Sequence, residues 1–386
     1  MTTPKSEDID TEAVALLAEA SVLRAKFGDT DVWLALGHNE VRQVLSDQRL
    51  SREAAMGPDA PVTVRSAYDP DILTSQDPPR HRHTRKLMAK AFSPRIVALL
   101  EPRIQDIVDD LLTGILADGP PVDLVQRYFA PLPIMVICEL LGVPYADRAA
   151  IRGWAERLMS TAHTAEEIGE AVQQIRAYLG GLIEAKRAQP AQDLTTELIA
   201  VTGEDGGLSE TELVANLQLL LIAGHETTVN QLGNSVLALL RNPGQFALLR
   251  QRPELMSQAV EELLRYARLN SALLPRVAVE DVPLGGEVIE AGEGVLALPG
   301  AGNQDSVMFT APDKLDITRP NANQHVTFGH GTHYCLGAPL ARLELTTALT
   351  ALLTSLPDFS LAVAESELTW REGTSIRALR KLPVTW

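Results

Sequence analysis

The feature that most constrains this chain is a lone cysteine inside a glycine-rich segment. Cys335 lies in the sequence FGHGTHYCLG at residues 328–337, here called the cysteine segment. Its glycines let the backbone turn tightly, with positive φ where needed, and a helix with Pro339 in its first turn is predicted to follow. A thiol at a helix N-terminus is placed where the helix dipole and free amides favour thiolate. An inert buried cysteine, the usual fate of a lone thiol, would require neither the glycines nor the helix.

The cysteine segment fills every fixed position of the pattern F-G-x-G-x-H-x-C-x-G and resembles the haem-binding loop of the cytochromes P450. The resemblance covers nearly the whole chain, from about Val32 to Trp386. It implies a mainly α fold with a small β portion, in which a long central helix of a triangular helical body lies over the haem. It also implies haem b as the cofactor, with Cys335 as the metal ligand. We expect residues 1–386 to form a single haem domain.

A second motif, AGHETT at residues 223–228, lies within the longest predicted helix. A glycine inside a helix costs about 1 kcal/mol relative to alanine. A threonine hydroxyl can bond a carbonyl one turn back, so the helix is expected to open locally and hold water. Alone, the motif would indicate only a polar patch. Beside the cysteine segment it resembles the P450 oxygen-activation motif A-G-x-[DE]-T-T. The resemblance implies that Thr227 hydrogen-bonds oxygen at the haem, that Glu226 relays protons, and that Ala223 and Gly224 leave room for the oxygen.

Two further patterns match elements of the same family. Glu262 and Arg265 lie three residues apart on one helix face, an arrangement that is common by chance and worth little when exposed. They resemble the E-x-x-R element, which implies a buried structural network completed by Arg319.

The sequence DPPRHRHTR at residues 77–85 resembles the D-P-P-x-H-x-x-x-R segment of the family, although such a basic run can also be a solvated helix face. The haem carries two propionates that need cationic partners, and the resemblance places His81 and Arg85 there. Arg80, where an acid is frequent, is expected to be solvated, and Gln304 replaces a usual arginine. The complete set of expected cofactor-binding residues is His81, Arg85, Ala223, Gly224, Arg276, Phe328, Gly329, His333, Cys335 and Gly337.

Composition limits the compartment and the partners. Only two cysteines are present, and Cys138 lies in an apolar run, so we expect no disulfide framework and a reducing cytoplasm. The formal net charge of −16 argues against nucleic acid as the main partner. The polar, acidic start is unlike a signal peptide, and the apolar runs are far shorter than the roughly 18 residues of a membrane span. A cytoplasmic protein without a membrane anchor is expected.

Helical periodicity dominates the chain, with fewer strand-like stretches. Helices are predicted at Glu40–Leu45, Pro79–Ala91, Pro94–Leu116, Ala146–Thr161, Ile168–Ala188, Ser209–Leu240, Pro243–Arg250, Pro253–Ala267 and Pro339–Leu356. Strands are predicted at Val32–Leu36, Val277–Val282, Glu287–Ile289 and Glu293–Leu298, with Leu368–Arg371 and Leu382–Val384 able to pair with each other.

The resemblance implies a monooxygenase that inserts one atom of O2 into an apolar substrate, by hydroxylation or epoxidation. A polyketide, macrolide or terpenoid in secondary metabolism fits the mostly aliphatic segments expected to line the pocket. These segments are Ala54–Ile72, Leu158–Ile175, Leu217–Ala223, Asn270–Leu274 and Thr374–Ile376. A peroxide-driven peroxygenase and a non-catalytic binding protein are the alternatives. The retained Glu226–Thr227 pair argues against the first, and the retained cysteine argues against the second.

The expected electron donors are separate proteins, a ferredoxin and its NAD(P)H-dependent reductase, because the sequence leaves no room for a flavin domain. A basic surface beside the cysteine segment is expected to bind an acidic ferredoxin. The residues assigned to this surface are Arg82, Lys86, Lys90 and Arg342.

Overall fold

Helices form most of the structure because long stretches of the sequence repeat apolar residues every three or four positions. The computed structural model describes residues 6–27, 30–57, 60, 69–158, 163–203, 207–269, 274–356, 358–371 and 376–386. Within these ranges the helices are α1 (Ser6–Leu17), α2 (His38–Ser46), α3 (Arg80–Met88), α4 (Pro94–Asp118), α5 (Pro131–Leu141), α6 (Arg148–Leu158), α7 (Ala165–Ala188), α8 (Leu194–Ala200), α9 (Glu210–Arg241), α10 (Pro243–Gln251), α11 (Met256–Tyr266), α12 (Pro299–Gly302) and α13 (Ala338–Ser355).

The long helix α9 begins at a reciprocal cap. The Ser209 side chain accepts a hydrogen bond from the Glu212 amide at 3.1 Å, and the Glu212 carboxylate accepts one from the Ser209 amide at 3.0 Å. Both amides would otherwise lack helical partners. Helix α9 packs against α5, α7 and α13, so it runs through the middle of the helical body. This arrangement confirms the mainly α fold with a long central helix.

The β portion is small and lies at the periphery of the helical body. Its strands are β1 (Val22–Phe27), β2 (Thr30–Ala35), β3 (Leu50–Ser51), β4 (Val122–Asp123), β5 (Arg276–Ala278), β6 (Val282–Leu284), β7 (Glu287–Ile289), β8 (Gly294–Ala297), β9 (Ser360–Leu361) and β10 (Pro383–Thr385). A five-stranded sheet has the order β1-β2-β8-β5-β3, a three-stranded sheet has the order β4-β10-β9, and β6 pairs with β7. Only the pairing of β2 with β8 is parallel among these described pairs.

Several elements differ from the sequence-based prediction. Helix α5 was not predicted, and the reason is that most of its residues are buried, which removes the periodic polar face. Helices α1 and α8 and strand β1 were also missed. The stretch predicted as one strand at Val277–Val282 belongs to two strands, β5 and β6. The helix predicted to reach Thr161 is described only to Leu158, and residues 159–162 lie outside the described ranges.

The predicted pairing of Leu368–Arg371 with Leu382–Val384 is wrong. Strand β10 instead pairs with β4 and β9, so it joins two distant parts of the chain. Trp370 makes only an isolated bridge with Leu379. Local sequence pattern cannot distinguish such alternative partners, because pairing is decided by the packing of the whole body.

No helix in the described part of the chain is long and apolar enough to cross a membrane.

Candidate active site

A cavity of about 310 Å³ separates α9 from the cysteine segment. Apolar side chains from α5, α9 and α13 form much of its wall, including Ile137, Leu220 and Leu340. Every cofactor-binding or catalytic residue predicted from the sequence lines this cavity, with the single exception of Glu226. Patterns separated by more than 200 residues in the chain therefore meet in one place.

The cysteine segment folds as a tight turn that requires glycine at two positions. Gly329 and Gly331 have φ of 74° and 68°, in the left-handed region that glycine favours. A Cβ at Gly331 would also lie 2.8 Å from the Cα of Ser46, so α2 packs directly against this backbone. The Cys335 amide donates to the carbonyl of Phe328 at 2.9 Å and closes the turn. The predicted curl of the segment is confirmed.

The Cys335 residue is accessible from the cavity, although protein atoms surround its thiol on most sides. Burial raises its pKa, and this effect outweighs the amides of Gly337 and Ala338 and the charge of Arg85, which all lower it. The amides at the start of α13 therefore act on Cys335 as expected, but they are not sufficient to make it a thiolate. A coordinated metal cation would deprotonate the thiol. The chemistry of this site fits the iron of the implied haem.

Cationic and imidazole side chains crowd one end of the cavity. The rings of His81 and His333 lie 4.1 Å apart between centroids. Burial and the neighbouring cations lower the pKa of His81 to about 4 and that of His333 to about 2. Burial lowers the pKa of Arg276 to about 10. Such crowding is unfavourable unless negative charge compensates it.

Several polar atoms at this end of the cavity have no partner in the described structure. They are both ring nitrogens of His81 and the Nε of Arg276. Buried polar atoms normally find partners, and two carboxylates would supply them while neutralising the cations. Arg85 is held beside them by a hydrogen bond from Nη2 to the Tyr334 carbonyl at 2.7 Å. The residues present thus fit the propionates of a haem.

Arg52 is a further cation of this wall that the sequence analysis missed. Its Nε donates to the Thr74 carbonyl at 3.0 Å, and Nη1 donates to the Pro275 carbonyl. Burial lowers its pKa to about 9. Arg52 directly follows strand β3 and belongs to no recognised sequence motif. Only its position in the folded structure identifies it as part of the cavity wall.

Residues 223–228 of α9, called here the α9 segment, are helical throughout, and the expected local opening is not observed. The Thr227 hydroxyl donates to the Ala223 carbonyl at 2.7 Å, which is the bond predicted for it. A Cβ at Gly224 would lie 3.0 Å from Cδ1 of Ile137. Close packing of α9 on α5 therefore gives Gly224 a structural reason, in addition to the room for oxygen inferred from the resemblance.

Glu226 points away from the cavity. Its buried carboxylate accepts a hydrogen bond from Nη1 of Arg371 at 3.0 Å and a longer one from Nδ2 of Asn230 at 3.3 Å. Arg371 is partly exposed and belongs to the segment before residues 372–375, which lie outside the described ranges. Glu226 and Thr227 thus face different sides of α9, and Glu226 contacts a cation that the sequence analysis did not identify.

The predicted network of Glu262, Arg265 and Arg319 is confirmed. The Glu262 carboxylate accepts two hydrogen bonds from Arg265, each at 2.8 Å, and two from Nε of Arg319, each at 3.1 Å. The side chains of Glu262 and Arg265 are fully buried. Both arginines also donate to carbonyls of residues 303–314, so the network fixes the chain that leads into the cysteine segment.

Two polar residues of the cavity wall, Glu344 and Gln231, belong to no motif that the sequence analysis identified. Glu344 on α13 is fully buried, and burial raises the pKa of its carboxyl group well above the usual value. Its Oε2 and the Oε1 of Gln231 on α9 have no hydrogen-bond partner within the described ranges. Glu344 is therefore expected to be neutral.

The basic surface predicted beside the cysteine segment is only partly as expected. Arg82 and Lys86 are exposed on α3, and the side chain of Lys90 lies outside the described part. Arg342 instead forms two hydrogen bonds with Glu261, at 2.6 and 2.9 Å. Arg342 is therefore not a free surface cation.

Arg80 and Gln304 are the two positions at which the sequence departs from the family pattern. Arg80 is exposed, as expected, and its Nη2 also lies 2.6 Å from Asp71 and 2.9 Å from Glu212. Gln304 is buried, and its Nε2 has no hydrogen-bond partner among the described residues.

The expected pocket wall is confirmed at Leu219, Leu220, Ala223 and Leu274. The described residues of Ala54–Ile72, Leu158–Ile175 and Thr374–Ile376 do not line the cavity. Parts of these segments, residues 58–59, 61–68, 159–162 and 374–375, and residues 270–273 of the fourth, lie outside the described ranges.

Comparisons with known proteins agree with this geometry. A family model described as Cytochrome P450 matches residues 156–368. Nocardicin C N-oxygenase of Nocardia uniformis subsp. tsuyamanensis is 43% identical, over 99% of this chain and 97% of that protein. Mycinamicin IV hydroxylase/epoxidase of Micromonospora griseorubida is 44% identical, over 95% of this chain and 92% of that protein. The crystal structure of the LnmA cytochrome P450 hydroxylase, from the leinamycin biosynthetic pathway of Streptomyces atroolivaceus, superposes with a TM-score of 0.90. The two are 42% identical, and the match covers 97% of this chain and 96% of that one.

Proposed function

Because this chain belongs to the cytochrome P450 family and is a haem-dependent monooxygenase, we propose that Cys335 is the axial ligand of its haem iron. The observation that carries the proposal is the convergence of the cysteine segment, the α9 segment and the cationic end on one cavity. We also propose that residues 1–386 act as a single haem domain. When bound, the haem activates O2 and supplies the oxidant.

The residues of the site fall into two groups. One group would hold the haem, and the other would deliver protons. His81, Arg85, Arg276 and His333 bind the propionates and so fix the orientation of the haem, with Arg52 beside them. Phe328, Gly329 and Gly337 shape the turn that presents the sulfur. Ala223 and Gly224 lie on the opposite wall, where small side chains leave space for oxygen.

Thr227 and Glu226 are proposed to deliver protons in sequence. The Thr227 hydroxyl is at the cavity wall and can hold a proton close to the oxygen. Glu226 lies behind it, bonded to the partly exposed Arg371, so it can exchange protons with solvent. Transfer from Glu226 to Thr227 requires a change of the Glu226 side chain or an intervening water.

The proposed substrate is a medium or large apolar natural product, such as a polyketide, macrolide or terpenoid. The support is the mostly aliphatic wall, with Leu73, Leu219, Leu220 and Leu269 among its described residues. The names of the relatives include a macrolide-directed enzyme, the mycinamicin IV hydroxylase/epoxidase, and an N-oxygenase of nocardicin C. Oxidation at carbon by hydroxylation or epoxidation is the reaction proposed for this chain.

Redox partners supply the electrons, and we assign this role to a ferredoxin and its NAD(P)H-dependent reductase. Arg82 and Lys86 form the basic surface near the cysteine segment that an acidic ferredoxin would approach. A reducing cytoplasm is the proposed location, since the chain contains only Cys138, which is buried, and Cys335.

Turnover with isotopically labelled O2 tests the proposed reaction. The holoenzyme is first titrated with mycinamicin IV, nocardicin C, a terpenoid and a fatty acid, and compounds that shift the Soret band to the high-spin position are kept. With ferredoxin, reductase and NAD(P)H, a product that carries one labelled oxygen atom is expected. A product that forms only with added peroxide would favour the peroxygenase, and no oxidation of any ligand that shifts the band would contradict the proposal.

A further inference from the structure

A partly buried charge cluster lies next to the cysteine segment and has no role in the mechanism described above. It consists of Glu261, His325 and Arg342 and is called here the Glu261 cluster. Arg342 donates from Nε and Nη2 to the two carboxylate oxygens of Glu261, at 2.6 and 2.9 Å. The Nε2 of His325 lies 3.2 Å from the same carboxylate. One carboxylate thus joins α11, α13 and the approach to the cysteine segment.

The protonation of the cluster follows from its contacts. Although burial opposes it, the proximity of His325 and the hydrogen bonds from Arg342 lower the pKa of Glu261 to about 2, so the carboxylate is charged at neutral pH. The Nδ1 of His325 accepts a hydrogen bond from the Thr327 amide at 3.2 Å, which leaves the ring proton on Nε2, facing Glu261. Burial lowers the pKa of His325. The cluster therefore contains one negative charge, one positive charge and a neutral imidazole.

Arg342 connects this cluster to Cys335 through two aromatic residues. Its guanidinium carbon lies 4.6 Å from the centroid of the Phe328 ring, over the ring face. Its Nη1 donates to the Tyr334 hydroxyl at 3.2 Å. The Phe328 carbonyl accepts the hydrogen bond from the Cys335 amide, and Tyr334 directly precedes Cys335. The positive charge is therefore held against two aromatic residues of the cysteine segment.

The contacts with Phe328 and Tyr334 bring the charge of Arg342 to the segment that carries Cys335. An electron from the redox partner adds negative charge at the iron and its ligand. A fixed positive charge nearby favours the reduced state, and a negative charge disfavours it, most strongly where water is excluded. The Glu261 carboxylate both positions Arg342 and offsets part of its charge.

We propose that Glu261 is a positioning residue that, through Arg342, sets the reduction potential of the haem iron. The proposal rests on Cys335 being the axial ligand. If it is correct, removal of the Glu261 charge and removal of the Arg342 charge shift the reduction potential in opposite directions. A purely structural ion pair would not have this effect. Loss of the Glu261 charge should raise the potential, and loss of the Arg342 charge should lower it.

The test is a spectroelectrochemical titration of the substrate-free holoenzyme and its variants. Relative to wild type, Glu261→Gln should shift the midpoint potential upward, Arg342→Gln should shift it downward, and the double variant should fall between them. Arg342→Lys keeps the charge but loses the paired hydrogen bonds, so its potential should stay closer to wild type than that of Arg342→Gln. Glu254→Gln is the control, because it removes the same charge from an exposed pair with Arg252 and should leave the potential unchanged.

Shifts of the same sign in Glu261→Gln and Arg342→Gln, or no shift in either, would overturn the proposal and leave the cluster a structural brace. If Glu261→Gln does not retain haem, the midpoint potentials of wild type, Arg342→Lys and Arg342→Gln are sufficient to test the proposal. Equal potentials for Arg342→Lys and Arg342→Gln would contradict a charge effect. The Soret band of the reduced carbon monoxide complex, measured in each variant, reports separately whether thiolate ligation is intact.

Discussion

The two walls of the cavity are held in different ways. The cysteine segment is fixed by its own turn, by α2 packed against Gly331, and by charge networks centred on Glu261 and Glu262. On the opposite wall, the α9 segment depends on helix packing. Its described polar contacts include a local Thr227 bond, the contacts of Glu226, and a contact at 3.3 Å between Nε2 of His225 and the Ala130 carbonyl. The wall proposed to hold the metal ligand is therefore fixed by more contacts between distant segments, whereas the wall proposed to handle protons has a polar group, Glu226, bonded to the partly exposed Arg371.

Glu262→Ala should have the largest effect, because it removes the centre of the network that holds the cysteine wall. Two buried arginines would lose their carboxylate partner, and breaking a buried pair typically costs about 3–5 kcal/mol. We expect insoluble or haem-free protein, as measured by haem content and by denaturant unfolding. Glu254→Ala, from the exposed pair with Arg252, is the control and should be indistinguishable from wild type. A folded Glu262→Ala protein with full haem content would show that the network does not brace this wall.

Substitution of one glycine on each wall sharpens the contrast. Gly331→Ala forces a side chain onto a residue with φ of 68° and against the backbone of Ser46, so a loss of about 1–3 kcal/mol in unfolding free energy is expected. Gly224→Ala brings a Cβ to 3.0 Å from Cδ1 and 3.2 Å from Cγ1 of Ile137, a side chain that must shift slightly, and helix propensity gains up to about 1 kcal/mol. Its net effect should be close to zero. Equal losses in the two variants would contradict this difference between the walls.

Thr227→Ala tests whether the α9 wall serves chemistry rather than stability. The hydroxyl bonds the Ala223 carbonyl of its own helix, so its removal should change unfolding free energy by less than about 1 kcal/mol. Haem content and substrate affinity should remain as in wild type, while product formed per NAD(P)H consumed should fall and peroxide should rise. Thr354→Ala removes the same kind of bond on α13 and is the matched control. An unchanged product yield would remove Thr227 from proton delivery.

The smallest effect is expected at the basic surface. Reversal of Arg82 and Lys86 to glutamate should slow reduction by ferredoxin, most strongly at low salt, and should leave substrate affinity unchanged. The Lys26→Glu, Arg157→Glu double variant makes the same charge change elsewhere and is the control. Arg342 is kept unchanged because it pairs with Glu261. Equal reduction rates in both double variants at low ionic strength would place the ferredoxin on another surface.

The same comparison explains what the sequence could predict. The cysteine segment and the Glu262–Arg265 pair are local patterns, since their functional residues lie within ten positions of one another. The turn of the cysteine segment and the Glu262–Arg265 pair were therefore predicted correctly, whereas Arg319, 57 residues from Glu262, was assigned to the network through the family resemblance. Helix α9 was also predicted, because its capping serine and its length are sequence properties.

Contacts between distant segments could not be predicted in this way. Arg371 lies 145 residues from Glu226, and Glu261 lies 81 residues from Arg342. Neither pair leaves a local pattern, and each arginine was therefore missed or assigned to the surface. The strand partners of β10 and the position of Arg52 in the cavity wall could not be predicted for the same reason, because both depend on the packing of the whole protein.

The most direct test of the account is the absorption spectrum of the reduced protein with carbon monoxide, measured for Cys335→Ser and for Cys138→Ala. Cys138 is buried in the core, where burial raises its pKa to about 12, so it should not be a ligand. The account predicts that Cys335→Ser loses the thiolate-specific Soret band and that Cys138→Ala retains it. A normal band in Cys335→Ser, or its loss only in Cys138→Ala, would contradict the assignment of Cys335 as the axial ligand.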